Sequence, residues 1–295
     1  MITGPSGWIG RALLANLAAR FGGALGGRVL AFASSERVMD LPWGEQLAVR
    51  ALDMIKPDDV AGAHVVHLAY LTKEKAEELG ELAFTSTNLG IDDAVLTALD
   101  GGPASLFVAS SGAAKLAADG HDLHPYGLAK LRQEERFLQW GRSAGVPVIA
   151  GRIFNIAGPH INKVESYAIS NFALQAMSRN TIKISAQVPV FRSFLHVDDL
   201  SDLIIDAALA GIGRDRPVDL CGAEVLEMGD IAEAVGNAVA PSVMIERGTV
   251  DTLHPSAYLG SFPDTKSLAM ESGRRLRPLS LSINDTLQWL QQSAA

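Results

Sequence analysis

Cysteine is nearly absent: Cys221 stands alone among 295 residues. A single thiol excludes an intrachain disulfide and a cysteine-cluster metal site, and it fits a reducing compartment, so a cytoplasmic location is expected. Positive charge is also in deficit. With a formal net charge of −8 the chain is not a general binder of nucleic acid, although a local basic site for a small anion stays open. No segment reaches the roughly 18 uninterrupted apolar residues of a membrane span. The N-terminal apolar run is interrupted by Arg11 and Arg20 and preceded by a glycine turn, which argues against an export signal. Aromatic residues are only 6%, but 48% hydrophobic and 20% charged residues describe a folded interior rather than disorder. Repeats, low-complexity tracts and long Pro/Gly linkers are missing too. At roughly 150 residues per domain, the length suits one large α/β domain or two unequal ones.

Chain ahead of the first glycine is also scarce. The opening MITGPSGWIG sets Gly4, Gly7 and Gly10 at GxxGxxG spacing before the helix-like RALLANLAARF. That is the arrangement of a phosphate-binding turn facing a helix N-terminus. Only Met1, Ile2 and Thr3 precede Gly4, where a buried parallel strand usually has about five or six residues. The expectation is a first strand reduced to a stub at the sheet's centre, as in a chain that starts late, with an N-terminally extended version melting higher.

Beyond the turn, the apolar runs RVLAFAS, AHVVHLAY, ASLFVASS and VPVIAGRIFN are separated in several places by helix-like stretches. This alternation predicts βαβ units and a parallel, doubly wound sheet. GPHINKVESYAISNFALQAMSRNTIKIS departs from the pattern, and FRSFLHVDDLSDLIIDAALAG returns to a helix with Asp198 or Asp199 as N-cap. EMGDIAEAVGNAV forms another helix. From Pro241 onward, prolines at 241, 255, 263 and 278 predict an irregular tail.

Three signals carry chemistry. The glycine spacing alone is weak, because 28 glycines make accidental matches easy. HPYGLAK places Tyr126 and Lys130 four apart on one helical face. An ammonium near a phenol favours the phenolate and lowers the tyrosine from its reference of about 10, so such a tyrosine can exchange a proton with an alcohol or ketone. FVASSGAA ends a strand in Ser110 and Ser111, at the carboxyl end where open α/β sheets bind ligands. A hydroxyl there can hold a substrate oxygen; the plain alternatives are a surface Tyr–Lys pair and a serine bonding its own backbone. Together and in this order, the three serve one reaction.

These residues, with HLA at 67–69, GRIFNIAGP and FRSFLHVDDL, resemble the extended short-chain dehydrogenase/reductase family, in particular its nucleotide-sugar epimerase/dehydratase branch. The likeness runs through most of the chain. It implies an α/β Rossmann-type doubly wound sheet with a smaller C-terminal substrate lobe. The implied division is 1–157 plus about 190–212 for the NAD(P)-binding domain, and 158–189 with 213–295, including the irregular tail, for the lobe. By the resemblance, Gly4, Gly7, Trp8, Ile9 and Gly10 hold the pyrophosphate, Asp53 and its neighbour Met54 sit by the adenine, and Leu68, Ala69 and Tyr70 line the cofactor. Tyr126 is the acid/base, Lys130 binds the nicotinamide ribose, and Ser111 matches the catalytic hydroxyl with Ser110 second. Asn155 and Arg192 match contacts to the sugar nucleotide's diphosphate side, where an arginine fork suits phosphate. The resemblance also implies a homodimer paired through the helix after Tyr126 and the helix beginning near Asn88.

Ser34, Ser35 and Arg37 follow the second strand where an NAD-preferring chain has an acid, so NADP is favoured over NAD, with Glu36 as the alternative acid. Ser111 is followed by Gly112, Ala113 and Ala114 rather than the acidic pair of the 4,6-dehydratases, so dehydration is disfavoured, and the loop from Ser111 to Tyr126 is short. Of seven histidines, His121 and His124 lie beside Tyr126 without a third ligand, so no metal is expected. They are read as loop residues, and His196 as a structural contact. Arg247 is a candidate to reach phosphate, and Arg274, Arg275 and Arg277 are solvated charges. The expected reaction is hydride transfer on a nucleoside-diphosphate sugar at C4, as a 4-epimerase or a 4-ketoreductase. The alternatives are a reductase of a non-nucleotide carbonyl and a non-catalytic NADP-sensing protein.

Overall fold

The computed structural model describes residues 1–293. The first elements are β1 (Ile2–Thr3), α1 (Trp8–Phe21), β2 (Ala31–Ala33), β3 (Arg37–Asp40), β4 (Gln46–Ala51), β5 (His64–His67), α2 (Lys73–Leu79) and α3 (Glu81–Ala98). Then come β6 (Ser105–Ser111), α4 (Gly112–Ala118), α5 (Pro125–Ala144), β7 (Val148–Ile153), β8 (Asn155–Ala157), α6 (Ala168–Arg179), β9 (Thr181–Ile184) and β10 (Val190–His196). The remainder are α7 (Val197–Leu209), β11 (Val218–Leu220), β12 (Val225–Glu227), α8 (Met228–Val239), β13 (Met244–Arg247), β14 (Ser256–Ala257), α9 (Phe262–Glu271) and α10 (Leu279–Ser293).

The chain divides into two compact units, Met1–Ile153 with Ser201–Asp219, and Phe154–Leu200 with Leu220–Ala295. The sequence reading placed 154–157 and 190–200 with the first group and 213–219 with the second. Strand pairing sorts them otherwise, because β8 pairs with β10 while β11 pairs with β7.

The first unit holds an eight-stranded sheet in the order β11-β7-β6-β5-β1-β2-β4-β3. Strands β4, β2, β1, β5, β6 and β7 run parallel, and the edge strand β3 is antiparallel. From β1 the chain builds first toward β2 and β4, then returns to β5 and β6 on the other side. Strand order reverses at β1/β5, which makes their carboxyl ends the switch point where ligands bind in such sheets. Strand β1 is the expected stub: Ile2 pairs with Ala31 and Val66, and Thr3 with Phe32 and His67. Its ammonium donates to the His64 carbonyl at 2.7 Å, and burial pulls the Met1 amine down to about 6. On one face of the sheet a core forms around Phe32, Val65, Val95, Leu106, Val108 and Phe137, all under 3% exposed. Packing of this kind pins α3 and α5 against the strands that carry the site.

The second unit is built on β12-β10-β14, with β8 also on β10, and a parallel β9–β13 pair. The tail is more regular than its prolines suggest. Pro263 lies in the first turn of α9 and Pro278 directly precedes α10. A proline at a helix start loses no hydrogen bond, so these residues open helices rather than break them. Helix α7 starts at Val197, so Asp198 and Asp199 lie in its first turn, and the His196 ring, not an aspartate, accepts from the Asp198 N–H at 3.0 Å. Arg247 is not a free phosphate ligand: two of its nitrogens reach Glu227 at 2.7 and 2.9 Å. Arg277 is likewise not solvated, since it pairs with buried Asp199. Among the described residues no helix is long and apolar enough to cross a membrane.

Candidate active site

The glycine turn links β1 to α1. Gly4 sits at φ +71, and a Cβ there would lie 2.9 Å from the Ala69 backbone nitrogen. At Gly10 a Cβ would lie 2.4 Å from the Gly4 carbonyl, so both positions need glycine for the turn itself. Gly7 differs. A Cβ there meets only the Gly4 oxygen at an ordinary 3.6 Å, so packing leaves that surface to a ligand. Gly7 is also the N-cap of α1, with no side-chain cap, so the first turn of the helix, at Trp8, Ile9 and Gly10, is the candidate anion site. Two guanidinium groups converge on the same turn: Arg37 donates to Ser6 Oγ at 2.8 Å and Arg11 to the Ser6 carbonyl at 3.1 Å. Ser34 and Ser35 are exposed at the end of β2. Ala33 pairs with Ala51, which brings the exposed Asp53 and Met54 to the neighbouring strand end. These residues suit a dinucleotide: backbone N–H groups for the pyrophosphate, and positive charge with hydroxyls by the ribose.

At the end of β6 the two serines part. Ser110 is buried and donates to Glu134 at 2.5 Å, while Arg152 reaches the same carboxylate with Nε at 2.9 Å and Nη2 at 2.8 Å. The Ser110 proton is therefore committed to that ion pair. Ser111 is half-buried and accepts from the Ala113 N–H at 3.2 Å, capping α4. Between Ser111 and Tyr126 the chain forms the short helix α4 and then a loop over 119–124. Gly127 lets α5 approach α4, because a Cβ there would lie 2.7 Å from the Ala113 carbonyl. That close approach fixes the start of α5, which carries Tyr126. His124 is in the loop, as expected, and is also the N-cap of α5, its Nδ1 accepting from the Tyr126 N–H at 3.1 Å.

Lys130 lies one turn beyond Tyr126 and is buried. Its ammonium donates to the Ala109 carbonyl at 2.6 Å and to Gln133 Oε1 at 2.9 Å, and lies 3.6 Å from the centre of the Tyr70 ring. Burial pulls the lysine down to about 7, against the pull of Asp92 and Glu134. Tyr70 is edge-on to Tyr126 with ring centres 6.4 Å apart, and burial pushes its phenol well above the usual range. The backbone before Tyr70 is held too, since Leu68 and Ala69 donate to Thr3 Oγ1 at 3.1 and 3.0 Å. Spacing alone does not single out Thr3, Asp92, Gln133 or Glu134. Gln133 and Glu134 could have been noticed as polar residues three and four beyond Lys130, on the same helix face.

The other two expected substrate residues lie in the second unit. Asn155 opens β8 and its Nδ2 lies 3.4 Å from the Ser193 carbonyl. Arg192 is half-buried in β10, bonded to the Phe191 carbonyl at 2.8 Å and 5.8 Å from the Tyr258 ring centre. No carboxylate pairs with it among the described residues, and burial lowers its pKa. A desolvated guanidinium without a counter-ion is disposed to take up an anion. Helix α3 begins at Glu81, seven residues before the expected start near Asn88, just after the left-handed Gly80. Among the described residues no cluster of three His, Cys, Asp or Glu could hold a metal.

The model of the NAD dependent epimerase/dehydratase family matches residues 1–215. UDP-glucuronic acid decarboxylase 1 of Arabidopsis thaliana is 30% identical over 121 residues, which is 41% of this chain and 27% of the decarboxylase. This chain thus matches less than a third of that protein's length. An NAD dependent-NDP-hexosamine 5,6-dehydratase, TunA, involved in tunicamycin biosynthesis superposes with a TM-score of 0.75 at 19% identity, over 98% of this chain and 96% of that one. RMD from Pseudomonas aeruginosa, solved with NADPH, gives a TM-score of 0.71 at 22% identity, over 99% and 98%. These two likenesses concern the fold, and both partners are nicotinamide-dependent or nicotinamide-bound. The family match takes in the glycine turn, both serines, Tyr126, Lys130 and Arg192, and on that ground the chain belongs to the NAD-dependent epimerase/dehydratase family.

Proposed function

We propose that the protein is an oxidoreductase of nucleoside-diphosphate sugars acting at C4, as a 4-ketoreductase using NADP or as a 4-epimerase. The observation that carries this reading is the gathering, within one unit, of an uncapped glycine turn with Ser111, Tyr126 and Lys130 at the carboxyl ends of the same sheet. A nicotinamide dinucleotide with its pyrophosphate at the turn would supply the two-electron chemistry. Ser111 holds the substrate oxygen and Tyr126 exchanges its proton. Lys130 supports the tyrosine's phenolate by its charge. Arg192 is given the diphosphate, and Asn155 a further contact to it. Helix α4 has no acid in its first turn, which supports reduction or epimerisation over elimination of water. Arg37 and Arg11 at Ser6, with Ser34 and Ser35 nearby, favour the 2′-phosphate of NADP.

The test is NADPH consumption with nucleotide-linked 4-keto sugars. Tyr126→Phe should reduce turnover by about 10²–10⁴-fold with NADPH affinity kept. Arg192→Ala should raise KM for the nucleotide-linked substrate. Turnover indifferent to Tyr126→Phe overturns the proposal, and activity on a ketone lacking any diphosphate, unaffected by Arg192→Ala, overturns the substrate class.

A further inference from the structure

Beneath Lys130 runs a buried polar chain that the family reaction leaves unassigned. Gln133 accepts from Lys130 through Oε1 and donates from Nε2 to Asp92 Oδ1 at 2.6 Å. Asp92, on α3, is 2% exposed. His67 Nε2 lies 3.3 Å from the same Asp92 oxygen, and its Nδ1 is 2.7 Å from Thr3 Oγ1. Thr3 Oγ1 already accepts from the Leu68 and Ala69 N–H groups, so its own proton points to His67 Nδ1. That assigns the His67 proton to Nε2, directed at Asp92. Lys130, Gln133, Asp92, His67 and Thr3 are thus linked in one buried series of contacts, and a buried network of this kind favours one geometry.

We propose that Asp92, acting through Gln133, is a positioning group that keeps Lys130 charged and oriented and so sets the pH at which Tyr126 becomes a phenolate. The inference rests on Tyr126 and Lys130 being the acid/base pair. Other charges around Lys130 have counter-ions of their own. Glu134, on the same helix, is held by Arg152 from β7. On the α3 side, Arg136 bonds Asp93 and stays 3.8 Å from Asp92, so it offsets the Asp92 charge only in part. His67 approaches from β5 as a donor to Asp92, and the segment after β5 contributes the Tyr70 ring. The lysine, already pulled down to about 7 by burial, is where a modest change of field decides its charge. The negative charge of Asp92 opposes that fall, as does that of Glu134.

The phenolate absorbance of Tyr126 tests this without substrate, as the difference between each protein and its own Tyr126→Phe version across pH. In the otherwise unaltered protein the midpoint should lie below the reference of about 10. Asp92→Asn should raise it by roughly one pH unit, as should Gln133→Met, which keeps the carboxylate but removes the link. Glu81→Gln, at the exposed start of the same helix, should not move it. In a Lys130→Met background Asp92→Asn should add nothing, a coupling that loss of packing would not reproduce. An ordinary midpoint in the unaltered protein sinks the acid/base reading itself. A lowered midpoint unmoved by either Asp92→Asn or Gln133→Met leaves that reading intact and overturns the relay. If Asp92→Asn does not fold, by far-ultraviolet circular dichroism, Gln133→Met alone decides.

Discussion

Glu134 and Arg152 form a nearly water-free ion pair directly behind the end of β6, with the carboxylate 1% exposed. Removing one partner of such a pair strands the other charge, at a cost of about 3–5 kcal/mol. Arg152→Met should therefore lower unfolding free energy by that amount in urea titrations, and a variant as stable as the parent would contradict the picture. At the turn, Arg37 reaches Ser6 from β3 and is assigned to the cofactor's 2′-phosphate. Arg37→Ala should weaken NADPH by about tenfold, the worth of one charged hydrogen bond, and leave NADH unchanged in fluorescence titrations. Equal loss for both would remove that assignment. Residue spacing made Ser111, Tyr126 and Lys130 legible because one helix turn and one strand end define them. Asp92 was not legible: its partner Gln133 lies 41 positions away, and only the packing of α3 on α5 brings them together.

The glycine turn and α1 act as one element. Gly10→Ala should open the turn, since its Cβ would strike backbone, costing about 1–3 kcal/mol. Gly7→Ala should leave the melting temperature almost unchanged while NADPH affinity falls. Unaltered affinity in Gly7→Ala would mean that the pyrophosphate lies elsewhere. In the second unit, Glu227 joins β12 to β13 through Arg247, which holds its carboxyl down to about 2 from 4.5. A depressed carboxylate contributes stability present above its unfolded pKa and lost as pH falls through the folded one. Stability of that unit should thus decline from about pH 4.5 toward 2, and Glu227→Gln should flatten denaturation profiles across that window. Strands β5, β6 and β7 were readable because each is built on an apolar stretch, VV in β5, LFVA in β6 and VIA in β7. The β3–β4 hairpin was not, because at a sheet edge its strands alternate buried Met39, Leu47 and Val49 with exposed neighbours such as Val38, which is 60% exposed. The tail misled for a related reason: a proline marks an element's start as readily as its end.

At the scale of the whole chain, the order of apolar runs announced the parallel sheet, and the few residues before Gly4 announced a central strand reduced to a stub. The division into units was less legible, because it follows which strands pair rather than where composition changes. We propose a homodimer through α3 and α5, whose faces carry exposed Leu82 and Leu128, 88% and 40% open. Sedimentation should then give twice the chain mass of 31.2 kDa, falling to a single chain in Leu82→Glu with Leu128→Glu. On the function proposed above, the first unit holds a nicotinamide dinucleotide at its glycine turn and prefers NADP. The most direct test is to purify the protein without added nucleotide, denature it, identify by mass spectrometry what it releases, and titrate it with NADPH and NADH. The account predicts little or no retained NAD and much tighter binding of NADPH than of NADH, abolished by Gly7→Ala. Stoichiometric tightly held NAD would contradict the roles given to Ser34, Ser35 and Arg37, and binding of neither nucleotide would contradict the account as a whole.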